Sequence, residues 1–359
     1  MTLPQIMIGA VLTGPETIDI RDLPVERPGP GEVVLSVEAA TTCGTDVKVF
    51  KRGGHPRMLK VPTVFGHEFS GRIAAVGEGV QGVKEGDAVV VANSAPCGQC
   101  AYCRMERENL CEDLVYINGA FAEFIRIPAR FVQRNMHPIP AGLSFARAAL
   151  TEPLACVLHG MDACDLDRYA QDGPVEAVVF GGGPIGLLFI AALARSGHAP
   201  ILADPNKPRL AAGRSMGAVK TVQIARGGGQ ADVVKAAADH SDGTWVAVDA
   251  SGVPEVWVDA INCVRPGGLV NLFGGCAPGT SIPLDTHRLH YSELTVKGVY
   301  HHRPETVRRA LEMLSDPSFP ADVLLSETAP IEKTEDALRS MIDKRALKVV
   351  ISGRAGPGL

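Results

Sequence analysis

Four cysteines at short, regular intervals constrain this chain more than any other feature of its sequence. Cys97, Cys100, Cys103 and Cys111 follow the pattern Cys-x2-Cys-x2-Cys-x7-Cys in a loop that Pro96 opens. Two-residue gaps let successive thiolates converge on one point, and the fourth closes a tetrahedron, the geometry of a structural zinc with no open position. Free thiols and an iron–sulfur cluster are the alternatives. The chain carries no motif for a second cluster or a redox partner, so the spacing predicts zinc.

The bulk composition limits the classes of protein to which the chain can belong. A length of 359 residues exceeds what one hydrophobic core usually organises, so we expect two domains. A formal net charge of −5 gives no electrostatic footprint for nucleic acid or for an anionic membrane. The apolar run at residues 6–12 is too short to span a bilayer. We therefore expect a cytoplasmic protein that acts on small molecules and contacts neither nucleic acid nor membrane.

Two different patterns of secondary-structure signals follow each other along the chain. As far as about residue 134, Gly and Pro break up short β-like runs, at residues 32–37, 71–76, 88–91 and 122–127. This pattern predicts a twisted, barrel-like β-rich body. Further on, apolar strands alternate with helical periodicity, at residues 175–180, 201–203, 219–224, 245–249, 269–273 and 294–299. Strands in this arrangement predict an α/β fold with a doubly wound parallel sheet.

A glycine loop joins the first of these apolar strands to a helical segment. It reads Gly181-Gly182-Gly183-Pro184-Ile185-Gly186. In a strand, turn and helix setting, Gly181 permits the tight turn, Gly183 lets a pyrophosphate approach the backbone, and Gly186 lets the helix pack on the strand. The loop, with Pro184 and Ile185 in it, therefore predicts a dinucleotide site.

Asp204 stands where a dinucleotide site needs a carboxylate for the adenosine ribose. It follows Gly186 by eighteen residues, at the end of the second strand. A carboxylate there repels the extra phosphate of NADP, so NAD is the preferred cofactor. Lys207 and Arg209 could bind that phosphate, which keeps NADP as the less favoured alternative, and we expect Arg209 to flank the adenine. A solvated loop carboxylate is the alternative for Asp204.

A second set of metal-ligand residue types is separate from the cysteine quartet. Cys43 and His67 offer a thiolate and an imidazole, both of which zinc prefers. A catalytic zinc needs three protein ligands and one exchangeable position, and Glu152 is the best candidate for the third ligand. On these residues alone, a packed or surface histidine remains an alternative for His67.

The stretch from Gly66 to Val80 resembles the signature of the zinc-containing medium-chain alcohol dehydrogenases, and the quartet occupies the place of their structural zinc. The resemblance covers essentially the whole chain and is closest to the polyol branch of sorbitol, galactitol-phosphate and threonine dehydrogenases. It implies a GroES-like catalytic domain at residues 1–152, a Rossmann NAD-binding domain at 153–299, and a return segment at 300–359 that completes the catalytic domain. It also implies two zinc ions per subunit and a homotetramer or homodimer.

The resemblance also implies roles at individual positions. Cys43, His67 and Glu152 would bind the catalytic zinc, and Glu68 would lie behind it or alternate as a ligand. The Thr45 hydroxyl would pass the substrate proton outward through the cofactor ribose. The nicotinamide would be lined by two short segments, Ser251-Gly252-Val253 and Phe273-Gly274-Gly275, which follow two predicted strand ends.

Two positions depart from the family pattern. Many relatives carry a histidine three residues after the Thr45 equivalent, whereas this chain has Lys48. The proton relay would then run through Lys48, through water or through His55, and a lysine solvated on a helix surface is the alternative for Lys48. Sorbitol dehydrogenases place an arginine after the strand that ends near residue 300, whereas this chain has His301-His302-Arg303.

The substrate pocket is the least defined part of the site. His301 and its two neighbours could contact hydroxyls, a carboxylate or a phosphate, or be structural. Phe50, Tyr116 and Phe121 could form an apolar wall, or belong to the core.

The expected activity is that of a zinc- and NAD-dependent dehydrogenase. It would oxidise a secondary alcohol, polyol or sugar, including phosphorylated or amino-acid-like substrates, to the ketone by hydride transfer from a zinc-bound alkoxide. Two alternatives are an NADPH-dependent carbonyl reductase on the same scaffold and a non-catalytic zinc-binding structural protein. The intact set of Cys43, His67, Glu152 and Thr45 argues against the second.

Overall fold

The computed structural model describes residues 3–54 and 59–353. The chain divides into two compact units: unit 1 contains Met1–Ala155, Arg303–Pro317 and Leu324–Leu359, and unit 2 contains Cys156–His302 and Ser318–Val323. Among the residues described, no helix has both the length and the apolar character needed to cross a membrane.

The regular elements are numbered in chain order. The strands are β1 (Ile6–Gly14), β2 (Thr17–Pro24), β3 (Val33–Thr41), β4 (Thr63–Val64), β5 (Glu68–Val76), β6 (Ala88–Val91), β7 (Ser94–Ala95), β8 (Val115–Tyr116), β9 (Phe124–Ile127), β10 (Met136–Pro138), β11 (Glu176–Phe180), β12 (Ala199–Asp204), β13 (Lys220–Gln223), β14 (Thr244–Asp249), β15 (Val264–Leu272), β16 (Thr295–Gly298), β17 (Leu325–Pro330) and β18 (Lys348–Ser352). The α-helices are α1 (Gly44–Arg52), α2 (Ala101–Arg104), α3 (Ala129–Arg134), α4 (Phe145–Ala149), α5 (Thr151–Asp162), α6 (Leu166–Tyr169), α7 (Pro184–Arg195), α8 (Lys207–Ser215), α9 (Ala231–Lys235), α10 (Pro254–Cys263), α11 (Thr286–Tyr291), α12 (Pro304–Ser315) and α13 (Thr334–Ile342).

Unit 1 is organised around β3, which is buried along almost its whole length. The sheet runs in the order β10-β6-β5-β3-β18-β17, and β9 also pairs with β3. Two register shifts between β3 and β5 mark bulges, which bend strands as a barrel-like sheet requires. A side chain at Gly71 on β5 would collide with the Ser36 carbonyl, so the two strands approach closely only because this residue is glycine.

The last described strand lies in the same sheet as β3. β18 pairs antiparallel with β3, with Val350 opposite Thr41, and parallel with β17. Its buried side chains, among them Val349 and Ile351, join the unit 1 core together with Phe69 and Leu35. Residues from the two ends of the chain therefore share one core.

Unit 2 contains a parallel sheet of order β13-β12-β11-β14-β15-β16. All five residues of β11 are buried, as expected of a central strand covered by helices on both faces. The strand order reverses direction between β11 and β14, and in open α/β sheets ligands bind outside the carboxyl ends of the strands at such a point. The α/β fold with a β-rich domain and a doubly wound parallel sheet is confirmed.

Candidate functional site

Cys43 follows β3 and caps the N-terminus of α1. Its Sγ accepts a hydrogen bond from the Thr45 N–H at 3.4 Å, and its own N–H donates to Asp46 Oδ2 at 2.9 Å. This reciprocal capping box satisfies two backbone groups. The thiol is thereby held at the point where a buried strand becomes a helix.

His67 is 3% exposed and pairs with Asp46. Its Nδ1 lies 3.0 Å from Asp46 Oδ1, so Asp46 fixes the ring and leaves Nε2 as the nitrogen that can bind a metal. Burial lowers the pKa of His67, but the Asp46 carboxylate and the Cys43 thiol outweigh that effect and raise the pKa well above its ordinary value. Asp46 is absent from the sequence-based predictions, although its position three residues after a helix cap was a usable signal.

Glu68 is fully buried and has a buried cation as its partner. Its Oε2 accepts hydrogen bonds from Lys348 Nζ and Thr41 Oγ1, and Lys348 Nζ also donates to the Thr42 carbonyl at 2.9 Å. Lys348 is 1% exposed; burial lowers its pKa, but the Glu68 carboxylate raises it overall. Oε1 of Glu68 has no hydrogen-bond partner within the described part of the chain.

The donor atoms of unit 1 form a group that fits a metal ion. Cys43, His67 and Glu68 each offer one ligand atom, and the three atoms lie within 4.8 Å of one another. A thiolate, an imidazole and a carboxylate are the ligands that zinc binds in proteins. A cation would also satisfy the buried Glu68 oxygen that the protein leaves unpaired.

Glu152 lies in the first turn of α5 and is 7% exposed. Burial raises the pKa of Glu152 to about 7, against the charge of His67, which lowers it, while the charge of Glu68 raises it further. Glu152 is therefore within electrostatic range of two of the three donors. The charges around the three candidate ligands therefore influence the protonation of Glu152.

The predicted proton relay begins on α1. Thr45 is half-buried in the first helical turn, two residues from Cys43, and Lys48 is exposed on the same helix. Exposure favours the solvated-lysine alternative for Lys48. His55 lies outside the described residues.

Phe50 and Phe121 are fully buried in the unit 1 core. The Arg339 guanidinium lies 5.5 Å from the centre of the Phe50 ring, and Phe121 packs edge-on against Phe65 with the ring centres 5.0 Å apart. The Phe121 ring also fills the space beside Gly66, whose φ is +91°. Both rings pack as core residues, and Phe121 fixes the backbone that precedes His67.

The cysteine quartet converges as its spacing predicts. All four thiols are free, with Sγ–Sγ distances of 3.5 Å for Cys100–Cys103 and 3.9 Å for both Cys97–Cys103 and Cys100–Cys111. Tetrahedral zinc with Zn–S bonds of about 2.3 Å would separate its sulfurs by about 3.8 Å. Backbone N–H donors lower the pKa of Cys97 and Cys100, whereas burial raises the pKa of Cys103 and Cys111. Four sulfurs this close fit a bound zinc, which would deprotonate all of them.

The glycine loop has the close contacts that its three key glycines predict. Gly181 has φ +99° where β11 ends, and Gly183 caps α7. A Cβ on Gly186 would collide with the Gly181 carbonyl, whereas a Cβ on Gly183 would meet nothing within 4 Å. The open side of Gly183, at a helix N-terminus, is a cradle that a phosphate group fits. Pro184 and Ile185 form the first turn of α7 and are half-buried.

Asp204 ends β12 beside this loop and is 2% exposed. Its Oδ2 accepts the Gly182 N–H at 2.6 Å, and its Oδ1 accepts the Asn206 N–H at 2.7 Å. Arg209 Nη1 lies 3.9 Å from Oδ2. The carboxylate is thus fixed against the glycine loop instead of being a solvated loop residue.

The remaining predicted residues also lie in unit 2. Ser251 and Gly252 follow β14, and Phe273 and Gly274 follow β15, so the two pairs stand at the carboxyl ends of adjacent parallel strands. His301 is half-buried after β16 with φ +63°, and its ring centre lies 4.0 Å from that of His302 and 5.5 Å from that of Tyr300.

Comparisons with known proteins agree with this arrangement. Residues 29–141 match the family described as Alcohol dehydrogenase GroES-like domain, and residues 184–316 match the family described as Zinc-binding dehydrogenase. A sorbitol dehydrogenase of Bacillus subtilis strain 168 is 30% identical over 98% of both chains. A D-altritol 5-dehydrogenase of Agrobacterium fabrum strain C58 is 34% identical over 88% of this chain and 90% of its own. A zinc-binding dehydrogenase from Sinorhizobium meliloti 1021, solved with NADP bound, superposes with a TM-score of 0.87 at 27% identity, covering 97% of this chain and 100% of that chain.

Proposed function

The chain belongs to the zinc-dependent medium-chain dehydrogenase family, in its polyol and threonine branch, and we propose that it is an NAD-dependent dehydrogenase that oxidises a secondary alcohol, polyol or sugar to the ketone. The observation that carries this proposal is the buried group of Cys43, His67 and Glu68, whose donor atoms lie within 4.8 Å of one another. A scaffold without catalytic demand has no need for such a group outside its structural metal site.

Two kinds of bound group would supply the chemistry. A zinc ion held by Cys43, His67 and a carboxylate would lower the pKa of a substrate hydroxyl, and NAD would accept the hydride. Cys43, His67 and either Glu68 or Glu152 would hold that zinc, and the quartet would hold the second. The glycine loop and Asp204 would hold the cofactor.

The protein's own residues set up the acid–base chemistry of the site. Asp46 fixes His67 Nδ1 as the protonated nitrogen, which keeps Nε2 available as a ligand. Lys348 balances the charge of Glu68, so that a second carboxylate, Glu152, can be accommodated nearby. The Thr45 hydroxyl is the group on α1 that would take the substrate proton and pass it outward. Because Lys48 is exposed and a solvated lysine is a protonated ammonium, water is the acceptor that we propose beyond it.

NAD is the cofactor that the adenosine end of the site favours. The Asp204 carboxylate accepts the N–H groups of Gly182 and Asn206, which fixes it against the glycine loop, and its negative charge would repel a ribose 2′-phosphate bound there. Arg209, 3.9 Å from that carboxylate, is the residue that would have to turn outward to bind NADP. Initial rates with NAD and NADP, compared for the wild type and Asp204→Ser, test this assignment. Specificity for NAD in the wild type that weakens in the variant is the expected result.

A carbonyl reductase that uses NADPH is the second candidate. The Sinorhizobium meliloti relative was solved with NADP bound, and the positive charges of Lys207 and Arg209 lie three and five residues after Asp204. Saturation by NADPH at lower concentration than by NADH, with reduction of ketones faster than oxidation of alcohols, would favour this candidate.

The decisive experiment combines metal content with a substrate screen. Zinc per subunit is measured for the wild type and Cys43→Ala, and NAD reduction is followed with polyols, sugar phosphates, threonine and simple secondary alcohols. We expect two zinc ions in the wild type, one in Cys43→Ala, and turnover only in the wild type. Cys263→Ala, a buried thiol outside both groups, is the control that should keep both zinc ions. A Cys43→Ala protein with two zinc ions and undiminished turnover would refute the proposed site.

A further inference from the structure

A buried carboxylate that the proposed chemistry does not use lies at the end of β14. Asp249 is fully buried, and its Oδ1 accepts hydrogen bonds from the Ser251 hydroxyl at 2.6 Å and the Ser251 N–H at 3.2 Å. Its Oδ2 accepts the Gly252 N–H at 3.0 Å. The side chain therefore determines the conformation of the segment that follows β14.

Asp249 also binds the segment that follows the neighbouring strand. Its carbonyl oxygen accepts the N–H groups of Phe273 and Gly274, at 3.1 and 2.8 Å. The indole Nε1 of Trp257, on α10, lies 3.0 Å from both Asp249 Oδ2 and the Gly274 carbonyl. One carboxylate and one indole thus connect the loop after β14, the loop after β15 and a helix.

The two loops are packed against each other with no room for a side chain between them. A Cβ on Gly274 would lie 2.5 Å from Asp249 Oδ2, and a Cβ on Gly252 would lie 2.7 Å from the Gly275 carbonyl. Gly252 also has φ +66°, which favours glycine. The segments 251–253 and 273–275 therefore form one continuous surface, here called the loop pair.

Within residues 3–54 and 59–353 no ion pair involves Asp249, and its hydrogen bonds offset the cost of burying the carboxylate. Burial raises the pKa of Asp249, while Ser251, Gly252 and Trp257 all donate to the carboxylate and lower it. A carboxylate buried for stability alone could be replaced by an apolar side chain of similar volume. The carboxylate accepts from Ser251 and Gly252, which follow β14, and from Trp257, which also donates to the segment after β15. Both segments stand at the carboxyl ends of adjacent parallel strands, the edge at which such sheets bind their ligands.

We propose that Asp249 is a positioning residue that, with Trp257, holds the loop pair in the conformation that receives the nicotinamide end of the cofactor. The proposal rests on the proposed function and on the role that the family resemblance implies for the loop pair, which is to line the nicotinamide. Asp249 itself touches neither cofactor nor substrate in this assignment. Its effect on binding passes through the backbone of Ser251, Gly252 and Gly274.

The test separates the two ends of the cofactor. NADH and ADP-ribose, which lacks the nicotinamide, are titrated by calorimetry into the wild type and Asp249→Asn. Asparagine keeps the shape but replaces one acceptor oxygen with an NH2 group, which faces a donor instead of accepting from it. We expect the Kd for NADH to rise about 10- to 100-fold, because hydrogen bonds to a charged group are lost, and the Kd for ADP-ribose to stay unchanged.

Asp259→Asn is the matched control. Asp259 is a carboxylate of the same unit, 2% exposed, that accepts the Gln230 N–H at 2.9 Å. It follows Trp257 by two residues on α10, which puts the two side chains on roughly opposite sides of the helix. We expect Asp259→Asn to lower the melting temperature without changing the ratio of the two dissociation constants. Trp257→Phe should raise the Kd for NADH in the same direction as Asp249→Asn, and the double variant should bind no more weakly than Asp249→Asn alone.

Tryptophan fluorescence gives a readout that does not depend on turnover. The chain has two tryptophans, Trp245 and Trp257. In Trp245→Phe, emission from Trp257 should change on addition of NAD, which unlike NADH does not absorb tryptophan emission, and stay constant on addition of ADP-ribose.

The outcomes are distinguishable. If the wild type binds neither NADH nor NADPH, the proposed function and this inference both fail. If the wild type binds NADH and Asp249→Asn weakens NADH and ADP-ribose equally, or weakens neither, the proposed function stands and the positioning role of Asp249 is refuted.

Discussion

The candidate metal site contains a buried ion pair between Lys348 and Glu68. Lys348 and Glu68 are 1% and 0% exposed, and Glu68 is the charge that most raises the pKa of Lys348. Loss of one member of such a pair leaves an uncompensated charge in a low-dielectric interior, which typically costs about 3–5 kcal/mol. We expect Lys348→Met to lower the free energy of unfolding by that amount, as measured by urea denaturation of the zinc-loaded protein.

A second substitution tests whether charge is the cause. In Glu68→Gln/Lys348→Met both charges are absent, so the loss of stability should be smaller than in Lys348→Met alone. Lys348→Arg keeps the charge and should lie between the wild type and Lys348→Met. Equal stability of Lys348→Met and the wild type would mean that the pair contributes nothing.

His137 on β10 predicts a pH dependence of stability. Burial lowers the pKa of His137 to about 4, and the charge of Arg308 acts in the same direction. The unfolded chain titrates near 6.5, so between these values the native state binds fewer protons than the unfolded state. The stability contributed by neutral His137 is present above about pH 6.5 and is lost as the pH falls towards 4, by about 3 kcal/mol at most.

Urea midpoints between pH 7.5 and 4.5 measure this effect. The wild type should lose stability more steeply with falling pH than His137→Gln, which does not titrate. Parallel curves for the two proteins would show that His137 has the same pKa in the native and the unfolded state, which would contradict the lowered pKa.

At the scale of elements, two glycines in the turn between β11 and α7 differ in the space available for a side chain. A Cβ on Gly186 would collide with the Gly181 carbonyl, whereas one on Gly183 would point into open space. We expect Gly186→Ala to lose both thermal stability and NADH binding, because the helix must move off the strand. Gly183→Ala should keep a melting temperature close to that of the wild type and lose NADH affinity about tenfold or more, since the added methyl occupies the phosphate cradle. If both variants bound NADH as the wild type does, the loop would not be the cofactor site.

Strands that are buried on both faces could be predicted from sequence, because their residues form continuous apolar runs. The run at 175–180 corresponds to β11 (Glu176–Phe180), and the run at 245–249 to β14 (Thr244–Asp249), because a parallel strand covered on both faces is an unbroken apolar run. By contrast, β2 (Thr17–Pro24) is exposed along most of its length and carries no such signal. The structure shows it as a strand because it pairs with β1 residue by residue.

Partners that are distant in sequence could not be predicted in the same way. The quartet lies within one loop, so its spacing alone was enough. Lys348 is 280 residues from Glu68, and a lysine at the start of an apolar strand normally reads as a solvent-exposed end. Only the pairing of β18 with β3 brings it to the Thr42 carbonyl and the Glu68 carboxylate.

For the whole molecule, the two units have separate cores and separate candidate ligands. One core contains Phe69, Phe121 and Val349 of unit 1, and the other contains Val178, Ala247 and Val270 of unit 2. All the candidate zinc ligands that the protein supplies belong to unit 1. The glycine loop, Asp204 and the loop pair belong to unit 2. Each ligand should therefore stabilise its own set of backbone hydrogen bonds.

Hydrogen exchange measured by mass spectrometry can test this division along the chain. A ligand at one hundred times its Kd stabilises the segments that must open for it to dissociate by about 2.7 kcal/mol, which slows exchange about 100-fold. We expect NADH to protect peptides covering residues 180–187, 204–209 and 249–257 and to leave 94–113 unchanged. Removal of zinc by a chelator should accelerate exchange at 94–113, where four thiolates would lose their shared cation, and leave 180–187 unchanged. Protection of 94–113 by NADH without any change at 180–187 would contradict the assignment of the cofactor to the glycine loop.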